Sequence, residues 1–186
     1  MNRLLPMAAL LALLAGCAST APAPSQSQFD AAAAVAAIRA AGTATSAELV
    51  VKPLGSSQVG DLREQAVALQ AQGRHADAAS VLDQALAISP DDPTLLQERA
   101  EAALLLHDLD DAERLARRAI AIGTEVGPQC RRHWETVAQV REILAPSPAE
   151  SSTAEAGAMA AAAAVSAVAE ARRQRDACTV AAPPRY

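Results

Sequence analysis

Residues 62–90 read LREQAVALQAQGRHADAASVLDQALAISP, and residues 96–124 read LQERAEAALLLHDLDDAERLARRAIAIGT. At an offset of 34 they agree at Leu62/Leu96, Glu64/Glu98, Ala66/Ala100 and Ala68/Ala102. They agree again at Asp77/Asp111, Ala78/Ala112, Ala85/Ala119, Ala87/Ala121 and Ile88/Ile122. The pattern is helical on both sides of Gly73, so each copy predicts two helices joined by a turn. Ala66 and Ala78 must be small for the two helices to touch, and Ala85 lets the second helix meet the next copy. Pro90 closes the first copy ahead of Asp91-Asp92-Pro93. The second copy keeps Ala100, Ala112 and Ala119 but has His107 for Gly73 and Thr124 for Pro90. That difference predicts a looser turn at His107-Asp108.

The period and the ordered small residues resemble the tetratricopeptide-repeat family, whose repeat is about 34 residues long. Trp134-x2-Val137-Ala138 resembles the start of a further first helix, at an offset of 38 from Leu96. Its second helix is the Ala-rich run ending near Cys178, after the break at Ala145-Pro146-Ser147-Pro148. The expected fold is therefore all-α: a short tetratricopeptide-type array of two repeats and an atypical third hairpin. Residues 61–179 form this domain. Its packing positions include Ala66, Gly73, Ala78, Ala85, Pro90, Ala100, Ala112, Ala119, Trp134 and Ala138.

Composition agrees with an all-α chain. Of 186 residues, 51% are apolar and only 2% aromatic. Alanine dominates, and it is the strongest helix former. The β-branched and aromatic runs of a sandwich or barrel are missing. The formal charge is -5, and Lys52 is the only lysine. An acidic chain with few aromatics has neither phosphate-neutralising nor base-stacking surface, so nucleic acid is not an expected partner.

Residues 1–16 combine Arg3, an apolar stretch from Leu4 to Leu14, and small residues before Cys17. This is the pattern of an export leader, with an apolar stretch of about ten residues where a bilayer needs roughly twenty. Leu14-Ala15-Gly16-Cys17 resembles the lipobox of bacterial lipoproteins. The resemblance implies cleavage before Cys17, a diacylglyceryl thioether on its sulfur and an acyl group such as palmitate on its new amine. Several acyl chains together anchor stably. Ala18 in place of Asp implies the outer membrane, with the body in the periplasm. Residues 17–29 are then the lipidated Cys and a polar tether. Residues 30–60 predict a short helix over 30–41, with Asp30 as N-cap and Gly42 as terminator, and an extended strap over 48–54 on the first repeat. Residues 180–186 are a tail. The whole is similar to small tetratricopeptide lipoproteins of the Gram-negative envelope.

With Cys17 on lipid, Cys130 and Cys178 remain, an even count in an exported chain. They fall at the two meeting ends of the third hairpin, which predicts a disulfide. A redox-active pair would need close spacing such as Cys-x-x-Cys.

In the family's register the inner face takes Arg63, Val67 and Gln70 from the first unit and Gln97, Glu101 and Leu104 from the second. Arg132, Glu135 and Gln139 follow from the third. That mix suits a charged peptide or helix, and it lacks the basic and amide cluster that chaperone-binding relatives use. His75, His107 and His133 have no further ligand at useful spacing, so no metal is expected. No cofactor motif or catalytic constellation is present, and no enzyme is expected. The expected function is a membrane-tethered protein-interaction module assisting assembly of an envelope complex. The alternative is a self-associating structural lipoprotein, a homo-oligomer without a dedicated ligand.

Overall fold

In the computed structural model, residues 29–44, 48, 56–146 and 153–179 are described, and among them the chain forms seven helices and no strand. These are α1 (Ala31–Ala41), α2 (Ser57–Ala71), α3 (His75–Ile88), α4 (Pro93–Leu105), α5 (Leu109–Ile122), α6 (Pro128–Ile143) and α7 (Ala154–Ala177). Side chains cap several of them. Asp92 accepts from the amides of Thr94 and Leu95, with Pro93 following where a missing N–H costs nothing. Asp108 accepts from Asp111 N, so the acidic turn after His107 starts α5. Asp30 and Thr153 do the same for α1 and α7.

The two repeat turns are built alike. Gly73 has φ 74°, and the next amide, Arg74 N, donates to Leu69 O at 3.0 Å. Thirty-four residues on, His107 has φ 61°, and Asp108 N donates to Ala103 O at 2.9 Å. Both are helix ends closed by a left-handed residue. The expected looser turn at His107 is thus corrected: the backbone holds the same geometry without glycine. Histidine is among the residues better tolerated there. Its ring also gains an edge contact with Phe29, centroids 4.8 Å apart.

Consecutive helices pack on one another from α2 to α7, giving the hairpins α2/α3, α4/α5 and α6/α7. The alanines read as packing positions are buried: Ala66, Ala78, Ala85, Ala100, Ala112, Ala119 and Ala138. Leu69, Leu82 and Leu95 centre a core shared by α2, α3 and α4. Leu96, Leu115 and Val137 continue it into α6, with Trp134 packed against them. Ala171 joins this cluster from α7. By length and apolar content alone α7 could cross a membrane. Its Val168 and Ala171 are buried, and Arg141 Nη1 of α6 donates to Ala167 O at 3.0 Å.

The third hairpin is closed covalently. Cys130 and Cys178 are bonded, their Cα atoms 5.7 Å apart and 48 residues apart in sequence. Beside them Gly127 N donates to Cys178 O at 2.7 Å. Gly127 has φ 91°, a conformation that favours glycine, and Pro128 then begins α6. Residues 147–152 and 49–55, the latter most of the expected strap, lie outside the described residues. So do Cys17 and the tail over 180–186.

Candidate functional site

The first helices of the three hairpins, α2, α4 and α6, form the inner face of the array. Part of it is already occupied. Helix α1 packs on α6 and α4, and its Val35 and Ile38 enter a cluster with Ala103, Leu104, Ala112 and Val140. It runs antiparallel to both. Phe29 at its start meets His107 beyond the end of α4, while Ala41 at its end accepts from Arg131 near the start of α6.

Under α1 lies a polar network. Glu101 is fully buried. Arg39 Nε of α1 donates to Glu101 Oε2 at 2.9 Å, and Arg132 Nη2 donates to the same oxygen at 2.8 Å. Gln97 Nε2 donates to Glu101 Oε1 at 2.9 Å and to Thr136 Oγ1 at 2.8 Å. Gln97 Oε1 is then the acceptor for His133 Nδ1–H at 2.9 Å. Burial pushes the Glu101 carboxyl up, but Arg132, Gln97 and Arg39 together hold it below the ordinary value. Burial, then the charge of Arg132, push the His133 imidazole down to about 4 against an opposing pull from Glu101. Two cations share one carboxylate here, and the histidine stays neutral.

Arg131 secures the segment after α1. It donates to Ala41 O and Thr43 O and pairs with Glu48 at 2.5 Å. The Glu48 pair raises its pKa further. Glu48 therefore meets α6 in the third hairpin; residues 49–54 of the expected strap lie outside the described residues.

Among the described residues the other half of the inner face is open. Between α1 and α2 runs a groove of about 780 Å³. Ala32, Val35, Ala36 and Arg39 form one wall, and Arg63, Ala66, Val67, Gln70 and Ala71 the other. Leu82, Glu98 and Leu105 line it between them. Arg63 pairs with Glu98, and this hydrogen bond raises the guanidinium pKa. Arg39 Nη2 donates to Gln70 Oε1 at 2.8 Å, tying α1 to α2.

The nine inner-face residues thus divide. Arg63, Val67 and Gln70 border the open groove, and Arg132 reaches its edge. Gln97, Glu101 and Leu104 are buried, so they are corrected from an open contact face to the floor beneath α1. Glu135 is corrected too: it is buried, accepts from Gln139, and pairs with Arg175 of α7 at 2.6 Å. Its partner lies 40 residues away, beyond any local pattern. Helix α1 was read as a helix but not as part of this site. The signal available was its only non-alanine residues, Val35, Ile38 and Arg39, which make an apolar stripe ending in one charge.

Residues 69–132, from the end of α2 into α6, match a tetratricopeptide-repeat family model. The match supports tetratricopeptide repeats over these residues, and such repeats generally mediate protein–protein interaction. No curated protein matches it.

Proposed function

We propose that this chain is a lipid-anchored protein-interaction module of the bacterial envelope, which assists assembly of an envelope complex. The carrying observation is the open groove between α1 and α2 on a tetratricopeptide array. Repeat arrays offer rigid concave surfaces and no chemistry of their own. Leu14-Ala15-Gly16-Cys17 and the polar run that follows support the anchor and tether. Such a tether raises the module's effective concentration against partners at the same membrane.

The test is in-cell crosslinking of tagged protein, comparing wild type with Val67→Arg and Cys17→Ser. Val67 is 65% exposed, so its substitution changes the groove and not the core. The reading expects an envelope protein captured by wild type and lost with Val67→Arg, and loss of membrane fractionation with Cys17→Ser. Capture of nothing beyond the chain itself would contradict it.

One observation favours self-association as a second reading. The outer side of α7 leaves Met159 and Val165 exposed, and no further helix follows it among the described residues. Sedimentation of the chain with Met159→Arg against wild type separates the two readings.

A further inference from the structure

We infer that the open half of the inner face receives about two turns of one α-helix, apolar on one side and bearing a carboxylate, laid alongside α1. The inference rests on the interaction-module reading and narrows it to a class of partner.

The repeat itself supplies the first argument. Helix α1 sits on α4 over Glu101 and Leu104. Shifted by 34 residues, these positions are Val67 and Gln70 on α2, and both border the groove. The array therefore carries a second copy of the seat that α1 fills. Extent supplies the second. The groove is walled by residues 32–39 of α1 and 63–71 of α2, so it runs for about 12 Å, roughly two turns of helix at 1.5 Å per residue. Alanines on both walls permit close approach.

Charge selects the occupant. Arg39, Arg63 and Arg132 are balanced by Glu98, Glu101 and the charge of Asp92 near Arg63. The exposed part of the set is one-sided. The side chains of Arg39 and Arg63 are 51% and 40% exposed, against 18% for Glu98 and none for Glu101. The carboxylates are sunk and the guanidiniums are presented, so an incoming carboxylate is matched and an incoming cation repelled. A second copy of α1 is a poor occupant, because its only charge is Arg39. It would set arginine against arginine.

The test uses the full chain and a fluorescein-labelled, hydrocarbon-stapled 14-residue helix of Ala and Leu with two Glu residues four apart. A counterpart carries Lys in place of Glu. Fluorescence anisotropy measures both against wild type, Val67→Glu and, as a distant control, Met159→Arg, with circular dichroism checking each fold. The acidic helix is expected to bind wild type and Met159→Arg alike, and at least about tenfold more weakly to Val67→Glu, which sets a carboxylate against its own. The Lys helix is expected to bind wild type at least about tenfold more weakly than the acidic one. Equal binding of the two peptides, no binding of the acidic one, or indifference to Val67→Glu would overturn the inference. A photo-crosslinker at Val67 tells this failure from a wider one. Capture in cells of an envelope protein through a basic or extended segment keeps the module reading and discards the acidic helix. Capture of no protein there discards both.

Discussion

Lowering the pH from 7 to 4.5 is expected to destabilise the fold through His133. Its Nδ1–H is committed to Gln97, and its Nε2 is buried without a hydrogen-bond partner. A second proton would create a cation in the core beside Arg132. Burial, reinforced by Arg132 and opposed by Glu101, therefore lowers the pKa from 6.5 to about 4. The unfolded chain takes up this proton below 6.5, whereas the folded chain takes it up only near 4. The stabilisation is complete above 6.5 and is lost as the pH falls toward 4. That interval corresponds to about 3 kcal/mol in all: about 1 by pH 5.5 and roughly 2–3 by pH 4.5. Urea unfolding at pH 7, 5.5 and 4.5, for wild type and His133→Gln, isolates the effect because the variant lacks the titrating group. Wild type should lose about 1 kcal/mol more than the variant between pH 7 and 5.5. An NMR titration of the His133 ring should have its midpoint near 4. A midpoint near 6.5, or identical pH dependence in the two proteins, would refute the reasoning.

Reducing Cys130–Cys178, or replacing both by serine, frees a loop of 48 residues. Denaturant titration should show a loss of up to about 4 kcal/mol by the chain-entropy relation. A Cβ at Gly123 would lie 2.6 Å from Ala119 O and 3.3 Å from the Pro93 side chain. Gly123→Ala should therefore lower the unfolding midpoint in urea by the equivalent of about 1–3 kcal/mol. Asp92→Ala removes the cap from two amides of α4 and should cost about 1 kcal/mol in the same assay.

The repeat was legible because it is written twice. Two copies of the same small residues at one offset identify four helices and their packing alanines, and α3 and α5 end where those copies end. The third hairpin was legible through Trp134, the alanine run and the cysteine pair. The inner face was not. Gln97 and Glu101 occupy positions that an open array exposes, and a polar side chain there reads as a contact residue. They are buried because acceptors and donors arrive from α1 and α6, 62 residues away for Arg39 and 39 for Thr136. Satisfaction of this kind leaves no local signature. Helix α1 was equally silent about its destination. An alanine-rich helix fits many grooves, and only Val35, Ile38 and Arg39 select this one. At His107 the sequence rule favouring glycine was overridden by the same Ala103–Asp108 backbone bond that closes the first repeat.

The central claim is that α1 fills the α4/α6 half of the inner face and leaves the α2 half open. Amide hydrogen exchange along α1 in the full chain tests it most directly. An isolated helix of 11 residues is marginal in water, so it gains no lasting protection by itself. Docked as described, the amides from Val35 to Ile38 should exchange as slowly as those of α4 and α6. Exchange at the rate of a free peptide there, with α4 and α6 still protected, would contradict the account.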